Sequence, residues 1–192
     1  MSTDINNILD VLEKIGEEDL KGLLASFSCP RNAEIEKFLK DRALDFARRR
    51  LSITYIVTDA EDGEILGYFT LGHKAIAVDG SAFSRTMQRK LDRWARRDGQ
   101  TGDHMASAFL LAQLGKNYDV DEGRRIDGAS LMRIAHDVLI DIQRRIGGGI
   151  VYLDCEDDAR LLAFYDRMGF RRFGERSSEE DGLRYVQLIR VL

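Results

Sequence analysis

Proline is almost absent from this sequence, with Pro30 alone in 192 residues, and cysteine is nearly so, with only Cys29 and Cys155. Two cysteines so far apart, with no CxxC pair, exclude a disulfide framework and a cysteine-based metal site, so each reads as a reduced thiol. The three histidines, His73, His104 and His136, show no ligand spacing such as HxxxH, and no metal is expected. No apolar run approaches membrane-spanning length. The N-terminus, MSTDINNILDVLEKIGEEDL, has early acids and no apolar core of signal-peptide length, so a cytoplasmic protein without a membrane partner is expected. Neither sign of charge dominates. A net charge of −4 with 32% charged residues excludes both a basic nucleic-acid coat and an acidic disordered tail, so any basic surface must be local.

What the sequence has is a hydrophobic share of 44%, enough for one domain with a sizeable core. Residues 4–15 place Ile5, Ile8, Leu9, Leu12 and Ile15 on one stripe, which predicts a helix that packs on something. After Pro30 a second amphipathic helix follows, with Ile35, Phe38, Leu39, Ala43 and Phe46 on one face. Two β-rich runs, LSITYIVTD and ILGYFTLGHKAIAV, are split by Ala60-Glu61-Asp62-Gly63 and predict an antiparallel hairpin. A basic helical stretch, SRTMQRKLDRWARR, comes next. ASAFLLAQLGKNY then reads as a strand, RIDGASLMRIAHDVLIDIQRRI as a helix and GGGIVYLDC as a strand, a β-loop-α-β unit. A short helix ending at Gly169 precedes two last strands joined by a charged turn. Strands early and late with helices between predict an α+β fold.

Chemistry concentrates in two places. At residues 108–142 a strand feeds a helix whose N-terminus offers unpaired amides and a positive dipole end to an anion such as a pyrophosphate. Arg124 and Arg125 precede that helix, Gly128 permits close backbone approach, and Ser130 adds a hydroxyl. In isolation this segment also reads as an ordinary βα loop. The run DVDEG at 119–123 lacks the remaining ligands of a calcium loop. The second place is VYLDCEDDARLLAFYDRMGF, where a strand runs into acids that start a short helix carrying Tyr165 before a glycine stop.

With Phe164-Tyr165 and Gly169-Phe170 in this order, the chain resembles the GNAT acyltransferase superfamily, and Asp158, which stands where that family usually has Asn, is by that resemblance expected at the cofactor. The resemblance implies a GNAT-like domain over residues 26–192, with a mixed, mostly antiparallel sheet flanked by helices; residues 1–25 lie outside it and read as an accessory N-terminal helix. It implies acetyl-CoA as co-substrate. The family's R/Q-x-x-G-x-G/A loop falls on Arg124, Arg125, Ile126, Asp127, Gly128, Ala129 and Ser130, with Gly128 at its last glycine and Ile126 in place of the middle one. The backbone of Leu114, Gly115 and Lys116 is then expected to pair with pantetheine. Tyr165 is expected to protonate the leaving CoA thiolate, its alternative being a core aromatic with a surface hydroxyl. Direct attack by an amine needs proximity and the loss of one proton, with no covalent intermediate.

The run FSCPRNAEIEKFL with LSITYIV and ILGYFTL resembles the subgroup of bacterial acetyltransferase toxins acting on aminoacyl-tRNA, which implies tRNA and an antitoxin as partners. Three functions follow: acetylation of a primary amine, acetylation of aminoacyl-tRNA as a toxin, and acyl-CoA binding without turnover. Glu156 and Asp154, at the end of a strand, are candidates for the general base and equally for helix-start acids. Cys155 reads as a structural core residue, and His73 as a packed or surface side chain. Arg85, Arg89, Lys90, Arg93, Arg96 and Arg97 with Trp94 suit an RNA backbone, or a solvated helix and homodimer contact.

Overall fold

The structure is a computed structural model that describes residues 2–178 and 182–192. Its strands are β1 (Thr3–Asn7), β2 (Ser52–Asp59), β3 (Ile65–Val78), β4 (Ala95–Arg97), β5 (His104–Lys116), β6 (Ile150–Glu156), β7 (Arg171–Ser177) and β8 (Arg184–Val191). Its helices are α1 (Ile8–Ile15), α2 (Glu17–Ala25), α3 (Ala33–Lys37), α4 (Ala43–Arg48), α5 (Arg85–Leu91), α6 (Gly128–Ile146) and α7 (Ala159–Arg167). Strands pair in the order β1-β2-β3-β5-β6-β8-β7, with β4 on β5. The expected α+β class and mixed, mostly antiparallel sheet are found, with β5–β6 as a parallel pair. The chain divides into two compact units, one running to Gly72 and including Ala112–Asp137, the other comprising His73–Leu111 and Val138–Leu192.

In the first unit, β2 and β3 form the expected hairpin, and Gly63 takes the positive φ of 78° in its turn. The N-terminal segment corrects the sequence reading, because the helix predicted over 4–15 begins only at Ile8. Thr3–Asn7 is extended and pairs with Asp59–Tyr55, and the Asn7 side chain caps α1 by accepting the Leu9 amide. Ile5 is thereby removed from the helical stripe and left exposed, whereas Ile8 is fully buried with Leu20, Leu24 and Phe27. The second amphipathic helix also differs. Its middle, Phe38–Arg42, is a π turn, with the Ala43 amide donating to the Phe38 carbonyl. The wide turn shifts the phase of the stripe, so that Phe38, Leu39, Ala43 and Ala47 are the residues buried.

In the second unit, the basic helix is shorter than its pattern. α5 ends at buried Leu91, the Trp94 amide closes a turn on the Leu91 carbonyl, and Ala95–Arg97 is a strand on β5. Two features explain the break: the apolar stripe runs out at Leu91, and Trp94 packs on the backbone of Gly149. A core of Val78, Leu91, Ala108, Ile150 and Ile189 lies among these elements. β6 pairs along its length with β8, and β8 with β7. The charged turn expected between β7 and β8, with Glu179, Glu180 and Asp181, lies outside the described residues. No helix among the described residues is long and apolar enough to cross a membrane.

Candidate active site

In the first unit, β5 ends on a tightly packed glycine. A Cβ on Gly115 would lie 2.4 Å from Ile35 Cγ2 and 3.1 Å from Tyr68 Cε1, so this position must be glycine for the strand to pass. Leu114 and Lys116 flank it half-buried, and the Lys116 ammonium sits 4.9 Å from the centroid of the Tyr118 ring. Arg31 approaches the same ring at 5.2 Å and Arg125 at 5.9 Å, making Tyr118 the hub of a local cationic cluster. Asn117 fixes the strand end: its amide nitrogen donates to the Ile65 carbonyl, and its Oδ1 accepts the Ser28 amide.

The loop between β5 and α6 is held by its own arginines. Arg125 donates to the carbonyls of Val120 at 2.8 Å and Tyr118 at 2.7 Å, curling residues 118–125 around its guanidinium. Arg124 faces three carboxylates of the β2–β3 hairpin, with Asp59 at 3.0 Å, Asp62 at 2.8 Å and Glu64 at 3.0 Å. Those bonds raise the Arg124 pKa further above its ordinary value. Ile126 is buried and anchors the loop in the core. The two arginines therefore shape the loop, Arg124 as a strut to the hairpin and Arg125 as a tie between carbonyls.

Asp127 caps α6. Its Oδ1 accepts the amides of Ala129 and Ser130, both at 2.9 Å, and its Oδ2 accepts the Ser130 hydroxyl at 2.7 Å. The Ser130 hydroxyl and then its amide hold this carboxyl below the usual carboxylate range. The helix N-terminus is thus occupied by the chain's own carboxylate, a capping role the sequence reading did not give Asp127. Gly128, after the cap, is where α6 starts.

In the second unit, the parallel β5–β6 ladder spans Phe109↔Val151 and Leu110↔Tyr152. β6 continues to Glu156 and is followed by α7, which Asp158 caps by accepting the Arg160 amide at 2.8 Å and the Leu161 amide at 3.0 Å. Tyr165 lies on α7 between Phe164 and Phe170, its ring edge-on to both at 5.1 and 5.7 Å. Gly169, at φ 85°, ends the helix and turns the chain so that the Phe170 amide donates to the Tyr165 carbonyl. Burial, and secondly the Cys155 thiol, hold the phenol protonated well above its ordinary range.

Around it, Cys155 is buried and its thiol is pushed up to about 11, chiefly by burial and then by Asp154, so it is a thiol and no nucleophile at neutral pH. This agrees with its structural reading. Asp154 accepts Arg176 Nε at 2.5 Å and Gln187 at 3.2 Å, which commits it to the β7–β8 side of the strand. Glu156 is exposed at the last position of β6 and opposite Tyr185 in register. His73 is exposed on β3, where it meets the Ser107 hydroxyl at 3.2 Å and the edge of the Phe109 ring, the surface one of its two readings.

No family model matches the chain, and neither does any curated protein. Among solved structures, AtaT complexed with acetyl-methionyl-tRNAfMet superposes with a TM-score of 0.62 at 16% identity, covering 96% of this chain and 94% of that one. A bacterial toxin matches with a TM-score of 0.66 at 18% identity over 99% of this chain and 90% of that one. A tyrosine-to-phenylalanine mutant of the AtaT toxin, bound to acetyl-CoA and the C-terminus of the antitoxin AtaR, matches with a TM-score of 0.62 at 16% identity over 100% and 94%. The chain shares the GNAT-like fold of these structures.

Proposed function

We propose that this chain is a cytoplasmic N-acetyltransferase that moves an acetyl group from acetyl-CoA to a primary amine by direct attack. The observation that carries the reading is Tyr165: a phenol on the short helix after β6, its ring set between Phe164 and Phe170 in a GNAT-like fold. A phenol is protonated near neutral pH, so beside a departing thiolate it can act as proton donor. Bound acetyl-CoA would supply the thioester carbonyl that the amine attacks. As the C–N bond forms and the C–S bond breaks, Tyr165 gives its proton to the sulfur, and the amine gives one to Glu156 or to water. Tyr165 is then reprotonated from solvent.

For the nucleotide end, Gly128, Ala129 and Ser130 offer backbone amides on a loop set by Arg125 and Ile126. A second anion there competes with the Asp127 carboxylate for two of those amides. Leu114, Gly115 and Lys116 lie on β5 beyond its two-position ladder with β6, and their backbone is the candidate partner of pantetheine. Asp158 acts as the cap that orients α7 and so Tyr165.

A second reading narrows the acceptor to the α-amino group of an aminoacyl-tRNA, with an antitoxin as partner. It is favoured by the likeness over nearly the whole chain to AtaT with acetyl-methionyl-tRNAfMet and to AtaT with AtaR. Thiol release from acetyl-CoA across a panel of amines tests the first reading: calorimetric acetyl-CoA binding without CoA release from any amine would make the chain a binding module. Translation in an extract, blocked by the chain only when acetyl-CoA is present, is the outcome expected of the second. Unimpeded translation would remove it.

A further inference from the structure

We propose that the face made by α5, the turn after it and β4 binds RNA, with the Trp94 ring stacking on a base and the neighbouring cations meeting phosphates. This deepens the aminoacyl-tRNA reading and rests on it for the identity of the RNA. Arg85, Arg89, Lys90, Arg93, Arg96 and Arg97 all lie exposed along this short stretch. Asp92 is the single acid among them, and its Oδ1 is turned 2.9 Å from Nε2 of buried His104. Elsewhere Arg48, Arg49, Arg144 and Arg171 each lean on a carboxylate. Among the described residues no salt bridge involves the six cations of this face, and Arg97 meets only the neutral Gln88 amide. Cations left without internal carboxylates on a chain of net negative charge form a local field for a polyanion.

The aromatic component is fixed in place. Trp94 is 41% exposed, yet a Cβ on Gly149 would fall 2.3 Å from its ring, so the indole rests directly on that glycine's backbone. An exposed ring held rigid on one side is a stacking platform whose ordering cost has already been met in folding. A pocket of about 170 Å³ opens beside it, lined by Lys90, Arg93, Trp94, Val191 and Leu192. A second of about 270 Å³, lined by Arg96, Arg97, Asp98, Gly99 and Met105, lies at β4. Only Trp94 and Met105 are large exposed apolar side chains here, too few for the apolar centre of a protein interface.

Fluorescence anisotropy with fluorescein-labelled deacylated tRNA tests this. Saturable binding is expected, weakened about tenfold by Lys90→Gln with Arg93→Gln and by a similar factor by Trp94→Ala. The slope of log affinity against log salt is expected to fall by about two in the double charge variant. Because both of its side chains are exposed, that variant keeps the test independent of any loss of folding in Trp94→Ala. Parent-like tRNA affinity and salt slope in the double variant would overturn the proposal. So would a dimer, seen by sedimentation velocity, that these substitutions dissociate, since the face would then belong to a second copy. If tRNA binding depends on the patch but aminoacyl-tRNA is not acetylated, the acceptor reading fails and the surface stands. Acetylation of aminoacyl-tRNA with no dependence of tRNA affinity on the patch would do the reverse.

Discussion

The Asp127 carboxylate accepts the backbone amide of Ser130 at 2.9 Å, so the end of α6 best placed to hold a phosphate already carries an anion of its own. Replacing Asp127 by Ser keeps an oxygen that can cap the helix and removes the charge. Acetyl-CoA is expected to bind severalfold more tightly to Asp127→Ser at low ionic strength, with the gain shrinking in high salt. Titration calorimetry at two salt concentrations measures this. An unchanged affinity would move the pyrophosphate away from α6.

The same carboxyl predicts a pH effect. Its folded pKa lies below the unfolded value, so its contribution is present above about pH 4 and is lost as pH falls through the folded pKa. Asp98, lowered by the Thr101 amide and then the Gln100 amide, acts in the same direction. Melting temperature is expected to fall on acidification below about pH 4, and less steeply in Asp127→Ser, which has no charge to lose there. Parallel melting curves for the two proteins between pH 7 and 3 would contradict the assignment.

Arg124 offers a test of positioning against direct binding. It ties the β5–α6 loop to Asp59, Asp62 and Glu64, and Arg124→Ala would leave three carboxylates facing one another. A small loss of stability is expected, because the pairs are partly solvated, read as a lower melting temperature with acetyl-CoA affinity falling in step. Arg124→Lys, which keeps the charge, should recover most of both. A large loss of affinity in Arg124→Lys at full stability would instead place the guanidinium on the ligand.

The tyrosine helix was legible in the sequence because each of its parts is local: acids at its start, where Asp158 caps it, Tyr165 before the glycine, Gly169 as stop. The β2–β3 hairpin was legible for the same reason, its turn being written in four consecutive residues. What sequence could not give was long-range. β1 exists because Thr3–Asn7 finds the edge of β2 about fifty residues away, and a helical stripe through Ile5 carries no trace of that pairing. The hairpin acids that Arg124 meets, Asp59, Asp62 and Glu64, are likewise some sixty residues away and invisible near it in sequence. The Asp127 cap was within reach, as an acid directly before a glycine that opens a helix; it was masked by reading the loop through its glycines.

Gly115 shows how much of the site depends on a missing side chain. Gly115→Ala would drive a methyl into Ile35 at 2.4 Å, and the Tyr68 ring at 3.1 Å cannot yield easily, since its hydroxyl donates to the Ile35 carbonyl at 2.6 Å. A destabilisation of about 1–3 kcal/mol is expected, read as a lower urea midpoint with an unchanged slope. Full stability would mean that β5 can shift, and its Leu114–Lys116 backbone would then be a poor fixed partner for a ligand.

Tyr165→Phe removes one oxygen and leaves the ring that packs on Phe164 and Phe170. If the phenol is the proton donor, turnover should fall by about 10²–10⁴-fold while acetyl-CoA affinity stays within twofold, because the lost interaction is made only as the thiolate departs. The pH profile separates this from a packing effect. Since burial holds the phenol protonated beyond its ordinary value of about 10, the parent's turnover should show no alkaline decline from Tyr165 at pH 7–10. A leaving thiolate must instead find its proton in water in the variant, so turnover with an activated thioester of low leaving-group pKa should lose far less than turnover with acetyl-CoA. Equal losses with both thioesters would show that Tyr165 supports the fold of α7 and donates no proton.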